Sequence, residues 1–230
     1  MKPIVSEKDF PTANKFVYLN AANVALMYNG AEKIITEWVA DVAQNGSNNF
    51  DDHAEEYVFK ELHQAAAQLI NASADDIAGG SSATELLCSL AWAVSPGKDK
   101  NVVSTEIVFP STVYPWQRVA RSTGCEIRLA KEKNNFIHTD DIIALIDRNT
   151  AVVCISQVEY GNGQTYDLHL IADAAHEKGA LLIVDATQSA GSIPIDVQAC
   201  PVDALISGAY KWLCGPFGAA FMYVAPLLSE

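Results

Sequence analysis

The stretch from residue 181 to residue 224 constrains this chain most, because short apolar runs there end on residues with chemistry to offer. Leu181-Leu182-Ile183-Val184 is uninterrupted, β-branched at its end, and closes on Asp185. Such a run reads as a buried strand of a parallel sheet. Ligands of open α/β sheets sit beyond the carboxyl ends of their strands, which is where Asp185 falls. Gln188 follows three residues later. Further on come Ser207-Gly208-Ala209-Tyr210-Lys211-Trp212, a glycine-rich turn Gly215-Pro216-Phe217-Gly218, and a second apolar run over 219–224.

A buried carboxylate is costly unless something positive faces it. Lys211 is the only lysine after Lys178, and its neighbours Tyr210, Trp212, Leu213 and Pro216 shield it from water. Desolvation favours the neutral amine, and a neutral amine forms Schiff bases with carbonyls. A strand-end Asp together with such a Lys is what pyridoxal 5'-phosphate (PLP) needs. The Asp keeps the pyridine nitrogen protonated and the Lys holds the aldehyde. Taken singly, a strand-end Asp also serves as a cap or turn residue, and a Lys among aromatics also snorkels at a surface.

The order of the motifs points further. Asp185-Ala186-Thr187-Gln188-Ser189-Ala190-Gly191, Ile195-Asp196-Val197, Val202-Asp203-Ala204-Leu205, the Ser207–Trp212 run and Gly215–Gly218 together resemble the class V aminotransferase family of PLP-dependent enzymes. Cysteine desulfurases, kynureninases and isopenicillin-N-epimerase-like proteins belong to that family. The resemblance implies an α/β type-I PLP-dependent transferase fold, a mostly parallel sheet with helices on both faces. It implies Lys211 and Asp185 as the catalytic pair, Gln188 near the phenolic oxygen of the cofactor, and Ser207 and Tyr210 on its phosphate. Tyr210 also reads as a core aromatic.

Upstream, Gly79-Gly80-Ser81-Ser82-Ala83-Thr84-Glu85 leads into an apolar helix. Free amides at a helix start favour an anion. Ser82 with Glu85 equally fits a capping box. The resemblance carries Ala83 and Thr84 over as phosphate-gripping positions. No G-x-G-x-x-G or G-K-[ST] occurs. Phe109-Pro110 stands where the family places a flat side chain on the pyridine ring: histidine in desulfurases, phenylalanine in kynureninases. Tyr160 stands where desulfurases carry Asn and kynureninases Tyr, and its hydroxyl can donate to the phenolic oxygen. Tyr18-Leu19-Asn20-Ala21-Ala22 resembles a family segment near the site entrance. Phe109, Tyr160 and Tyr210 lean away from a standard desulfurase, because phenylalanine cannot shuttle protons.

Helices are expected over 30–44, 54–71, 86–94, 113–121, 140–146 (capped by Thr139) and 167–178, the last stopped by Gly179. Strands are expected over 102–104, 125–129, 151–156, 181–184 and 219–224, and a short extended piece over 16–20. Strand and helix alternate from residue 100 onwards. Segment 1–28 reads as an irregular N-terminal piece and 29–230 as the PLP-binding large domain. The resemblance implies that the family's C-terminal small domain, with its carboxylate-gripping arginine, is expected to lie outside these 230 residues.

The 230 residues carry 15 Lys and Arg against 28 Asp and Glu, a net charge of −13. Such a surface repels phosphate backbones, which argues against nucleic acid as a partner. No apolar run reaches the ~18 residues of a membrane span, residues 1–7 do not read as a secretion signal, and a cytoplasmic location is expected. The five cysteines are scattered without a C-x-x-C pair, so neither zinc nor a disulfide framework is expected. Cys88 and Cys154 read as buried thiols, His53 and His63 as exposed or capping, and His169 and His176 as solvated on an outer helix. A small amino acid is the expected substrate and a homodimer the expected assembly. The expected activity is transferase or lyase chemistry through Lys211. A cysteine desulfurase-like lyase and a non-catalytic PLP-fold protein are the alternatives.

Overall fold

The computed structural model describes residue 6 and residues 8–229. The reading of residues 1–7 as no secretion signal falls, apart from residue 6, outside the described residues.

Seven strands form one sheet. They are β1 (Ile77–Gly80), β2 (Asn101–Thr105), β3 (Glu126–Ala130), β4 (Thr150–Ser156), β5 (Leu181–Asp185), β6 (Ala204–Gly208) and β7 (Ala220–Val224), in the spatial order β1-β7-β6-β5-β4-β2-β3. Pairing is parallel from β3 through β6, whereas β7 runs antiparallel to both β6 and β1. The sheet is therefore mostly parallel, as expected. β2 and β6 are buried along their whole length, which is why they carry no polar alternation.

Helices cover both faces: α1 (Asn29–Asn45), α2 (Asp52–Tyr57), α3 (Lys60–Ile70), α4 (Ala83–Val94), α5 (Pro110–Thr123), α6 (Thr139–Ile143), α7 (Leu168–Glu177) and α8 (Pro226–Ser229). The two cores follow the strand pleat, since successive side chains point to opposite faces. Val103, Val153, Leu182, Val184 and Leu205 pack with α3, α6 and α7 on one face. Val102, Val152, Cys154, Ile183 and Ile206 pack with α4 and α5 on the other, around fully buried Trp116.

Several local expectations are corrected. The helix expected over 54–71 breaks at Val58 and Phe59 into α2 and α3. Phe59 lies over Gly79, where an added Cβ would meet its ring at 3.3 Å. α5 begins at Pro110, with Pro in the first turn where its missing N–H costs nothing. His138, not Thr139, occupies the N-cap of α6. Residues 16–20 join no strand. The alternation fails twice: residues 186–203 link β5 to β6, and residues 209–219 link β6 to β7, without a helix. β1 was not expected; it is too short and glycine-rich to signal itself, and β7 holds it in place. Cys154 and Cys125 are buried, but Cys88 only partly. His176 is paired, its Nε2 2.8 Å from Asp203 Oδ2.

α1 buries none of its residues. Ile34, Trp38 and Val39 are exposed on it. No helix among the described residues is long and apolar enough to cross a membrane.

Leu182 is fully buried in the middle strand of the sheet. Leu182→Ala should destabilise the fold by about 2–5 kcal/mol through lost burial and the cavity left behind, read as a lower denaturant midpoint in urea unfolding.

Candidate cofactor site

The carboxyl ends of β2, β4, β5 and β6 point the same way, and a cleft opens there beside the N-terminus of α4. β2 leads outward to β3 and the chain then returns to β4, so the cleft lies near the point where strand order reverses. Ser82, Ala83, Thr84, Phe109, Ser111, Ser156, Tyr160, Asp185, Thr187, Gln188, Tyr210 and Lys211 line it.

Asp185 ends β5 and faces the α4/α5 side, two residues along from Ile183. It is buried, and both carboxylate oxygens are engaged. Oδ1 accepts from the Thr187 amide at 2.9 Å and Oδ2 from the Thr112 hydroxyl at 2.9 Å. The first bond closes an Asx-type turn. The second reaches across from α5, so the carboxylate is held from its own loop and from the helix above it.

Lys211 follows β6 in a tight turn in which Cys214 N donates to Lys211 O at 2.9 Å. The residue is 6% exposed. Among the described residues Nζ has no hydrogen bond and no ion pair. It lies 5.4 Å from the ring centre of Phe109 and 5.7 Å from that of Tyr210. Burial lowers the Lys211 pKa below its ordinary value, and the nearby charge of Asp185 opposes this. The amine is thus kept in a cleft, partly desolvated and unbonded, within the field of a carboxylate that it does not touch.

The other walls are built locally. At the start of α4 the Ser82 hydroxyl accepts from Glu85 N at 3.1 Å, as a cap does. The Glu85 carboxylate turns to Ser81, accepting from its hydroxyl at 2.5 Å and its amide at 2.7 Å, and those bonds hold its pKa low. The amides of Ala83 and Thr84 have no partner among the described residues, so the capping and anion-binding readings of this turn are compatible. Thr84 Oγ1 lies 2.7 Å from Ser111 Oγ, bringing two hydroxyls to the same wall. Phe109 and Tyr160 meet edge to face at 5.2 Å. Tyr210 stacks on Phe217 at 4.7 Å. Gln188 lines the cleft with its amide engaged: Nε2 donates to Ala22 O at 2.8 Å, and Oε1 accepts from Trp212 Nε1 at 2.9 Å. Ala25 N donates to Tyr210 O at 2.9 Å, so the segment after Tyr18 does run beside the cleft. Gly191 permits this closure. Its φ is +90°, and a Cβ there would meet Trp212 O at 2.5 Å.

The structure thus brings Ala83, Thr84, Phe109, Tyr160, Asp185, Gln188, Tyr210 and Lys211 to one cleft. Ser207 it does not. Ser207 shares the face of Leu205, on the α7 side of the sheet, and its hydroxyl donates to Gly208 O at 3.2 Å. One step of pleat separates it from the cleft. Residues missed from the sequence are Thr112, Thr187, Ser111 and Ser156. Thr187 was recoverable from the D-x-T spacing of an Asx turn, and Thr112 from its place one helical turn beyond Phe109. Among the described residues no group of three or more His, Cys, Asp or Glu is arranged to hold a metal.

A family model described as aminotransferase class-V matches residues 18–230. An uncharacterized aminotransferase YcbU of Bacillus subtilis is 30% identical over 221 residues, covering 96% of this chain and 58% of that protein. A kynureninase of Geobacillus thermodenitrificans is 30% identical, covering 90% and 51%. A probable cysteine desulfurase of Methanothermobacter thermautotrophicus is 28% identical, covering 94% and 54%. The chain therefore spans about half the length of the curated relatives it matches. Among solved structures, a C-DES variant with glycine covalently linked to its PLP cofactor superposes with a TM-score of 0.86 at 21% identity, covering 96% of this chain and 60% of that one. The cysteine desulfurase CsdA of Escherichia coli gives 0.82 at 23% identity, covering 96% and 57%. At such identities the superpositions establish the fold.

Two predictions follow from the geometry. Thr112→Val should cost about 1–3 kcal/mol in urea unfolding, because it strips a buried carboxylate oxygen of its donor, whereas Thr112→Ser should cost much less. Because burial favours neutral Lys211, the unfolded chain binds more protons below the amine's ordinary value of 10.5. The stability of the protein without added ligand should therefore rise, relative to Lys211→Met, as pH increases from neutral toward that value. Paired urea titrations across that range check the sign.

Proposed function

The chain belongs to the aminotransferase class-V family, and on that premise we propose that its cleft binds pyridoxal 5'-phosphate and works on the amino group of a small amino acid. The observation that carries this reading is the Lys211 amine, buried beside Asp185 and without a hydrogen bond or ion pair among the described residues. An unpaired buried lysine is costly unless a partner replaces the bonds that it lacks. An aldehyde supplies that partner. The donor set fits the rest of the cofactor: free amides and two hydroxyls at the start of α4 suit a phosphate, and the Phe109 ring suits a stacked pyridine.

Bound there, pyridoxal phosphate supplies an aldehyde and an electron-accepting ring. The chain's own residues do the remainder. Asp185, fixed by Thr112 and Thr187, keeps a proton on the ring nitrogen. Lys211 would hold the aldehyde, and its amine would be the group placed to take a proton from the substrate Cα. Ala83, Thr84 and the Tyr210 hydroxyl hold the phosphate. Tyr160 and the second amide hydrogen of Gln188 serve the phenolic oxygen. Ser207 contributes through its strand rather than by contact.

Transferase or lyase chemistry is the reading supported, with residues 29–230 as the cofactor-binding domain and a homodimer as the assembly. The exposed apolar side chains of α1 support association. The desulfurase-like alternative draws on the 28% identical relative. Phe109 speaks against its usual form, since that ring cannot carry a proton.

Purified chain incubated with pyridoxal phosphate should show a yellow absorbance band that survives dialysis and is lost in Lys211→Ala. Asp185→Asn should keep the band but lose turnover in a panel of amino acids. Absence of the band from the unaltered chain, or an identical band in Lys211→Ala, would sink the reading.

A further inference from the structure

Glu159 is a buried acid that the proposed chemistry does not use. It is 1% exposed. Its Oε1 accepts from Thr105 Oγ1 at 3.0 Å and from the Tyr166 hydroxyl at 3.0 Å. Its Oε2 has no partner among the described residues. Thr105 is the last residue of β2, on the face of Val103, and Tyr166 stands just before α7. The carboxyl group therefore joins the tip of one strand to the far arm of the loop that leaves the next.

That loop, residues 157–166, is a small hairpin. Val158 bridges Thr165, Glu159 N donates to Gln164 O at 2.8 Å, and Gly163 N donates to Glu159 O at 2.9 Å. Tyr160 sits at its turn and packs edge to face on Phe109. Glu159 and Tyr160 are adjacent, so one anchors behind the sheet edge while the other reaches the cleft.

We propose that Glu159 is a positioning residue, clamping the 157–166 hairpin to the end of β2 so that Tyr160 is held on the cleft wall against Phe109. The clamp itself is independent of the cofactor; its consequence for the cofactor rests on the reading given under Proposed function. Among the described residues no cation faces the carboxyl group. The charged and titratable groups around it are Tyr166, Asp185 on the adjacent strand tip, and Glu106, which is paired with Lys131 at 3.2 Å. Burial raises the Glu159 pKa, and the Asp185 charge adds to this, against the bonds from Thr105 and Tyr166. Burial and the Asp185 charge thus both disfavour the charged form of Glu159. An acid whose folded pKa is raised gives its full support at low pH, and that support is lost as pH rises through the raised value.

The test is amide hydrogen exchange of residues 158–165 against the β4 amides in the same chain without cofactor, corrected for intrinsic rates, from about pH 5 to 9. Glu159→Leu should speed hairpin exchange by roughly tenfold or more while β4 holds, as expected for two lost buried bonds. Glu159→Gln, which keeps the acceptor without the charge, should stay near the unaltered chain at low pH and remain flat where that chain loosens as pH rises. Tyr166→Phe removes one donor with little loss of volume and should give an intermediate rate, which keeps the test decisive if the leucine variant does not fold. Hairpin exchange unchanged in Tyr166→Phe, or pH dependence in Glu159→Gln matching the unaltered chain, overturns the clamp. With pyridoxal phosphate added, the absorbance band should shift or weaken in Glu159→Leu and be restored in Glu159→Gln. A chain that binds no cofactor at all removes the functional reading but leaves the exchange result to decide the clamp.

Discussion

The structure turns on two charged groups of opposite sign that share one buried cleft and do not touch. Asp185 spends its oxygens on Thr112 and the Thr187 amide. Lys211, lying over two aromatic rings, gives its amine to no hydrogen bond or ion pair among the described residues. A direct ion pair would be the easier way to bury both. Keeping them apart leaves a carboxylate already oriented and an amine already partly stripped of water, which is a costly arrangement for a fold and a useful one for a ligand with an aldehyde and a basic ring.

The sheet provides the means. Parallel strands deliver Ser156, Asp185 and the turn after Gly208 to one edge, and β1 delivers the start of α4 to the same edge. α5 then lies across the cleft with Thr112 and Trp116 beneath it, so that the carboxylate rests on a packed core rather than on a loop. Gly191 lets the turn after β5 close directly on the turn that carries Lys211. The positions of the two groups are thereby coupled through backbone rather than through flexible side chains.

Two acids at neighbouring strand tips divide their roles by environment. Asp185 has donors on both oxygens. Glu159 has donors on one, lies on the opposite face of the sheet, and feels the charge of Asp185. The first faces the ligand cleft and the second the interior beneath the hairpin. Neither role can be assigned from residue type, since both are single carboxylates after apolar strands.

Much of this was legible in the chain. The run Leu181 to Asp185 announced a buried parallel strand with an acid at its end, and Lys211 stood out as the only lysine after Lys178, set among aromatics. The helix that breaks at Phe59, the unsignalled strand β1 and the helix-free link from β5 to β6 were not legible, because each depends on packing against residues distant in sequence. What the sequence by itself determined was the kind of fold and the chemical pair at its centre, since apolar periodicity and residue type are local properties. Only the tertiary structure decided which hydroxyls serve that pair, that Ser207 faces away while Thr112 faces in, and that Glu159 is buried. Those outcomes depend on pleat register and on which helix lies over which strand, and neither is encoded at any single position.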